Sequence, residues 1–228
     1  MPSFNHNDFI EFILDNGVVG FFEKPVTLKS GRTSNWYVNW RTVAGDAYLL
    51  DSLSAHLIAY LTDRAIAFDT IYGVPDGATK LGIVAQLAWA KSQHNFSKGS
   101  HTLLMGRGAP KQHGAAKDRL FLGEPKGRIV VVEDVTTTGG SLLTAIEGLR
   151  EAGAEVVAAV GLTNRMEKRD DGVSVADAVG ARGIPYHAMS EAHELLPRAY
   201  ARAKPGEAIG RAIEEEFAHF GVKPLKLF

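Results

Sequence analysis

Cysteine is missing from the 228 residues. That absence excludes disulfide scaffolds, thiolate zinc sites, thiol nucleophiles and cysteine-ligated iron–sulfur clusters in one step. A surplus of either charge is missing too, with 25 Lys and Arg against 26 Asp and Glu. A chain this close to neutral is a poor general binder of nucleic acid or of anionic membrane. No apolar run approaches the roughly 18 residues of a membrane span. No lysine or arginine precedes Lys24, and Asp8, Glu11 and Asp15 interrupt the apolar stretch there, so it does not read as a secretory leader. Histidine spacing for a metal is also lacking, with neither HExxH nor an i, i+4 pair among the eight. What remains is a 45% apolar chain, enough to bury a core without staples. A soluble, cytoplasmic, mixed α/β protein is the expectation.

Periodicity orders the chain. Residues 5–22 read as an amphipathic helix, with Phe9, Ile10, Ile13 and Leu14 on one face and Asn7 or Asp8 as its cap. The polar turn Lys29-Ser30-Gly31-Arg32-Thr33-Ser34 precedes a strand over 36–40, and residues 46–64 form a second helix. From residue 69 strand and helix alternate. Strands are expected near 70–73, 101–105, 128–133 and 155–162, with helices at 79–92 and 141–152. Such alternation implies βαβ units and a parallel sheet flanked by helices. The stretch 106–120 has no periodicity. Past residue 165 the pattern weakens to a strand near 184–188 and a helix near 206–220.

The most informative string is Val131-Val132-Glu133-Asp134-Val135-Thr136-Thr137-Thr138-Gly139-Gly140-Ser141. A buried strand delivers two adjacent carboxylates to its carboxyl end, where open α/β sheets bind ligands. Hydroxyls and glycine backbone follow just before a helix, whose first N–H groups make a ready anion site. A polar loop capping a helix would explain the threonines and glycines but not the two acids. Acids beside an anion cradle suit a ligand that combines a phosphate, a diol and a metal. Rival phosphate motifs are absent: no GxxxxGK[ST] occurs, and Gly106-Arg107-Gly108 lacks a third glycine.

This string resembles the phosphoribosyl pyrophosphate (PRPP) signature of the type I phosphoribosyltransferases. Leu28-Lys29-Ser30-Gly31-Arg32-Thr33-Ser34 is similar to the LKSGRxS motif of the orotate-specific branch. Arg107-Gly108-Ala109-Pro110-Lys111-Gln112-His113-Gly114 is similar to that branch's catalytic loop, and Asn164-Arg165 follows a core strand as its orotate-contacting arginine does. The resemblance covers about residues 10–170. Two positions depart from it: Gly108 stands in place of a second loop lysine, and Val74-Pro75-Asp76-Gly77 in place of a Tyr-Lys pair.

The resemblance implies a type I phosphoribosyltransferase-like parallel sheet with a small N-terminal hood. Residues 1–66 would form the hood and 67–170 the PRPP-binding core with a mobile loop at 105–119, while 171–228 would complete the core and add a terminal helix. It implies transfer of the 5-phosphoribosyl group of PRPP to orotate, with Mg²⁺ as cofactor and a homodimer sharing its active sites. Lys111, His113 and Arg107 would be catalytic. PRPP would meet Lys29, Arg107, Lys111, His113, Glu133, Asp134, Val135, Thr136, Thr137, Thr138, Gly139, Gly140 and Ser141. Orotate would meet Lys29, Tyr37, Val38, Thr137 and Arg165. The metal would be held mainly by PRPP, with Asp134 and Glu133 reaching it through water. A related enzyme for another base is the nearest alternative. A PRPP-sensing regulator is the alternative from another class, disfavoured by neutral charge and an acidic N-terminus.

Overall fold

The computed structural model describes residues 3–109 and 111–228. Helix α1 (His6–Asp15) is capped by the Asn5 side chain, which accepts from the N–H groups of Asn7 and Asp8. It is shorter than its apolar run suggested. Gly17 adopts φ +61, its N–H bonds the Leu14 carbonyl, and the Val18 N–H bonds Ile13. That doubly bonded stop ends the helix. The following apolar residues go instead into a hairpin, β1 (Val19–Thr27) paired antiparallel with β2 (Thr33–Val38). A short α2 (Arg41–Gly45) and a long α3 (Ala47–Asp63) follow.

The core is a βαβ array. Strand β3 (Thr70–Gly73) leads into α4 (Thr79–Lys91), and β4 (Met105–Gly106), α5 (Ala116–Leu120) and β5 (Phe121–Leu122) form one edge. Then come β6 (Arg128–Thr136), α6 (Gly140–Glu151), β7 (Glu155–Asn164), α7 (Val175–Gly180) and β8 (Tyr186–Glu191). Helices α8 (Ala192–Ala203) and α9 (Glu207–Phe220) close the chain. Among the described residues the central sheet runs β5-β4-β3-β6-β7-β8, parallel except for the β4–β5 pair. The strand expected over 101–105 shrinks to the two residues of β4. The backbone of Gly123 crosses Leu103 so closely that a Cβ there would lie 2.0 Å from the Leu103 carbonyl oxygen.

Alternation along β6 divides the interior. Val130 and Val132 point into a cluster with the hood, α1, α3, α8 and α9, whereas Ile129 and Val131 pack with α6 and α7. A strand covered on both faces reads as a continuous apolar run, as this one does. Phe9, Trp36, Leu57, Leu195 and Phe217 all share the first cluster, so hood and C-terminal helices are packed as one body with the sheet. No helix among the described residues is long and apolar enough to cross a membrane.

Candidate active site

The sheet order reverses between β3 and β6, because β3 is followed by a neighbour on one side and β6 lies on the other. Ligand crevices in open α/β sheets form at such a switch point. Here a cavity of about 840 Å³ lies beyond the carboxyl ends of these strands, roofed by the hood. Glycine permits close packing at and beneath its floor. A Cβ on Gly82 of α4 would sit 2.4 Å from the Gly73 nitrogen, and one on Gly77 would sit 2.2 Å from an Asp134 carboxylate oxygen. The loop 74–77 therefore lies directly on Asp134, with a cis Pro75–Asp76 peptide bond.

Strand β6 carries Glu133 and Asp134 into this cleft. Burial pushes the Glu133 carboxyl up to about 8, helped by neighbouring Asp134 and opposed by Lys29 and the Leu142 N–H. Its Oε2 is buried without a hydrogen-bond partner among the described residues. Asp134 is raised for the same first reason, burial, with Arg41 and Lys29 among the groups that pull it back. After Thr137 and Thr138 the chain turns through Gly139 at φ +68 and enters α6, whose N-cap offers no side-chain acceptor. The N–H groups of Gly140 and Ser141 are thus left for a ligand, while that of Leu142 is turned to Glu133, and Gly139, Gly140 and Ser141 line the cavity.

Across the cleft, the turn after β1 is closed by Gly31, φ +84, whose N–H bonds the Leu28 carbonyl. It holds Lys29 so that Nζ donates to Ser141 Oγ at 2.9 Å. Tyr37, Val38, Val135, Thr137 and Arg107 line the same space, so most of the expected constellation does converge. Arg107 stands at the rim, where Nε donates to the carbonyls of Asp118 and Phe121, both at 3.1 Å.

Four expected residues are placed otherwise. Thr136 is fully buried and hydrogen-bonds Tyr186 at 2.6 Å. Strand alternation turns its side chain off the cleft while Val135 and Thr137 face it, so it cannot hold a phosphate there. Lys111 and His113 are exposed on the segment between β4 and α5 and do not line the cavity; Pro110 lies outside the described residues. Arg165 reaches the cavity wall, yet it is 1% exposed and its guanidinium is committed. Nε donates to Glu167 at 2.7 Å, Nη1 to the Trp36 carbonyl at 3.3 Å, and Nη2 to Ser34 at 3.0 Å and Glu216 at 2.8 Å. The group also stacks 3.8 Å over the Trp36 ring. Two carboxylates already answer its charge, which leaves little for a ligand's carboxylate. Sequence reasoning missed Asn39, Trp40 and Arg41 as lining residues. No motif marks them, and only the turn from β2 into α2 brings them to the cleft.

A phosphoribosyl transferase domain model matches residues 74–179. An orotate phosphoribosyltransferase from Bradyrhizobium sp. is 40% identical over 187 residues, covering 77% of this chain and 90% of that one. The chain belongs to the orotate phosphoribosyltransferase family. Solved orotate phosphoribosyltransferases share its fold. One from Francisella tularensis superposes with a TM-score of 0.67 at 20% identity, covering 94% of this chain and 99% of its own. Another from Aeropyrum pernix gives 0.62 at 25% identity, covering 87% and 99%. Within this orotate phosphoribosyltransferase fold, the 74–179 match spans the switch-point loop, both acids and the α6 anion cradle.

Proposed function

We propose that the cleft transfers the 5-phosphoribosyl group of PRPP to orotate, giving orotidine 5′-phosphate and pyrophosphate, the phosphoribosyl step of pyrimidine synthesis. The observation that carries this reading is the joint placement of Glu133, Asp134, the uncapped start of α6 and the hood lysine Lys29 around one cavity. The 5-phosphate takes the N–H groups and hydroxyls of 137–141, displacing Lys29 from Ser141. Glu133 and Asp134 accept from the ribose hydroxyls and become fully ionised as they do so. Orotate stacks at the hood end beside Tyr37 and Val38, with Thr137 and Lys29 within its reach. Arg165 works behind that wall, holding β2 through Ser34 and the Trp36 carbonyl.

In the reaction the C1–O bond to pyrophosphate breaks and a C1–N bond to orotate forms. Positive charge on the ribose and negative charge on the leaving group grow together, so positioning and electrostatics supply most of the catalysis. The ring nitrogen of orotate enters as an anion, and no general base is needed. No cluster of three or more metal-ligating side chains exists among the described residues. The two acids, one with an unpartnered buried oxygen, fit a divalent cation delivered by PRPP and met through water. Bound there, with Glu133 and Asp134 holding its water, Mg²⁺ would supply charge neutralisation for the departing pyrophosphate. Arg107, Lys111 and His113 belong to the segment that closes over it, and in a homodimer that segment serves the neighbouring subunit. A base-by-base assay with PRPP and magnesium tests the reading. Turnover is expected with orotate, and turnover with adenine or hypoxanthine instead would overturn it.

A further inference from the structure

We infer that Arg41 is a substrate-contacting cation of the cleft and that it holds the pyrophosphate moiety of PRPP. The inference rests on the proposed reaction. Four cations line the cavity, and three have partners within the protein. Arg165 is answered by Glu167 and Glu216, Arg107 clamps the base of its own segment, and Lys29 bonds Ser141. The Arg41 guanidinium has no ion pair or side-chain hydrogen bond with any described residue. Yet the backbone that presents it is fixed. The Asn39 side chain accepts from the Arg41 N–H at 3.2 Å. Trp40 is 1% exposed and its indole N–H donates to Thr163 on β7 at 3.2 Å. At the far end of α2, Lys80 of α4 donates to the Ala44 carbonyl at 3.1 Å. A cation on so anchored a turn is held for a ligand rather than left to wander in solvent.

Which part of the ligand it meets follows from its neighbours. Lys29 bonds Ser141 at the start of α6, which places it toward the 5-phosphate end. Arg41 opens α2, and the Lys80–Ala44 bond ties that helix to the start of α4. Helix α4 follows the 74–77 loop, whose Gly77 covers Asp134, so Arg41 lies toward the end of the cleft bounded by that loop. That loop brings the carboxylate of Asp76 and no cation of its own. A polyanionic leaving group there is well met by a guanidinium, whose flat fork matches phosphate oxygens.

The test is calorimetric titration of the wild type, Arg41→Gln and Arg41→Lys with PRPP, pyrophosphate, ribose 5-phosphate and orotate, all with magnesium. Loss of a charge-assisted hydrogen bond predicts about 10- to 150-fold weaker binding of PRPP and pyrophosphate by Arg41→Gln. Ribose 5-phosphate and orotate should bind as before, and Arg41→Lys should recover part of the loss. Unchanged pyrophosphate affinity, or a loss confined to orotate, would overturn the assignment while leaving the proposed reaction standing. A wild type that binds neither PRPP nor pyrophosphate would overturn both.

Discussion

A carboxyl group that keeps its proton up to about pH 8 ties Glu133 to both stability and binding. Between the ordinary value of 4.5 and about 8, the unfolded chain has released this proton and the folded chain still holds it. Stability of the unliganded protein should therefore fall as pH rises through that window. Burial of the charge costs on the order of 3–5 kcal/mol once it is ionised. Glu133→Gln should melt above the wild type at pH 8, with the advantage shrinking toward pH 5, and melting curves across that range check it. A parallel pH dependence in the two proteins would contradict the account. Arg165 gives the converse case. Arg165→Ala leaves the Glu216 carboxylate in the interior with only the Ser34 hydroxyl as partner, while Glu167 keeps Arg32, at a cost of about 3–5 kcal/mol in denaturant unfolding. A loss below about 1 kcal/mol would mean that the network carries little. The acids and the anion cradle could be read from the string 131–141 because their chemistry is local. Arg165 could not be read fully, since the partner that neutralises it, Glu216, lies on α9 and enters only through the fold.

Elements set which of those residues face the ligand. Helices α3, α4, α6 and α9 and strands β3, β6 and β7 match their periodicity because both the apolar pattern and the end signals agree. The hairpin β1–β2 was hidden at its first strand. The run Val18 to Phe22 continues the apolar pattern of α1, and only the left-handed Gly17 separates them. Helices α7 and α8 went unseen because Ser174 and Pro197 lie in a stretch of mixed charge, although Ser174 does cap α7 by accepting from Asp177. Packing between elements is equally demanding. On Gly82 of α4, an added methyl would meet the Gly73 nitrogen and Cα at 2.4 and 2.9 Å, and both are backbone atoms that cannot rotate away. Gly82→Ala should cost about 1–3 kcal/mol or more and push the 74–77 loop off Asp134. Reduced PRPP affinity together with lower stability is the expected pair of results, and a stable variant with native affinity would contradict this packing.

At the scale of the whole molecule, hood, sheet and C-terminal helices share one interior, yet Lys111 and His113 stand outside the cleft of their own chain. The twofold dimer proposed above, in which each such segment would serve the other subunit, would resolve that mismatch. Lys111→Ala and Asp134→Asn should each be nearly inactive. After subunit exchange they should recover up to about a quarter of wild-type activity, because half the dimers are mixed and each has one intact site. Exchange without recovery would place the segment over its own subunit's site. The central claim, phosphoribosyl transfer to orotate in the switch-point cleft, is tested most directly by stoichiometry. The purified protein is mixed with PRPP, magnesium and limiting orotate, while orotate absorbance and released pyrophosphate are followed together. One pyrophosphate per orotate consumed is the predicted result. Pyrophosphate released without loss of orotate, or no change in either, would contradict it.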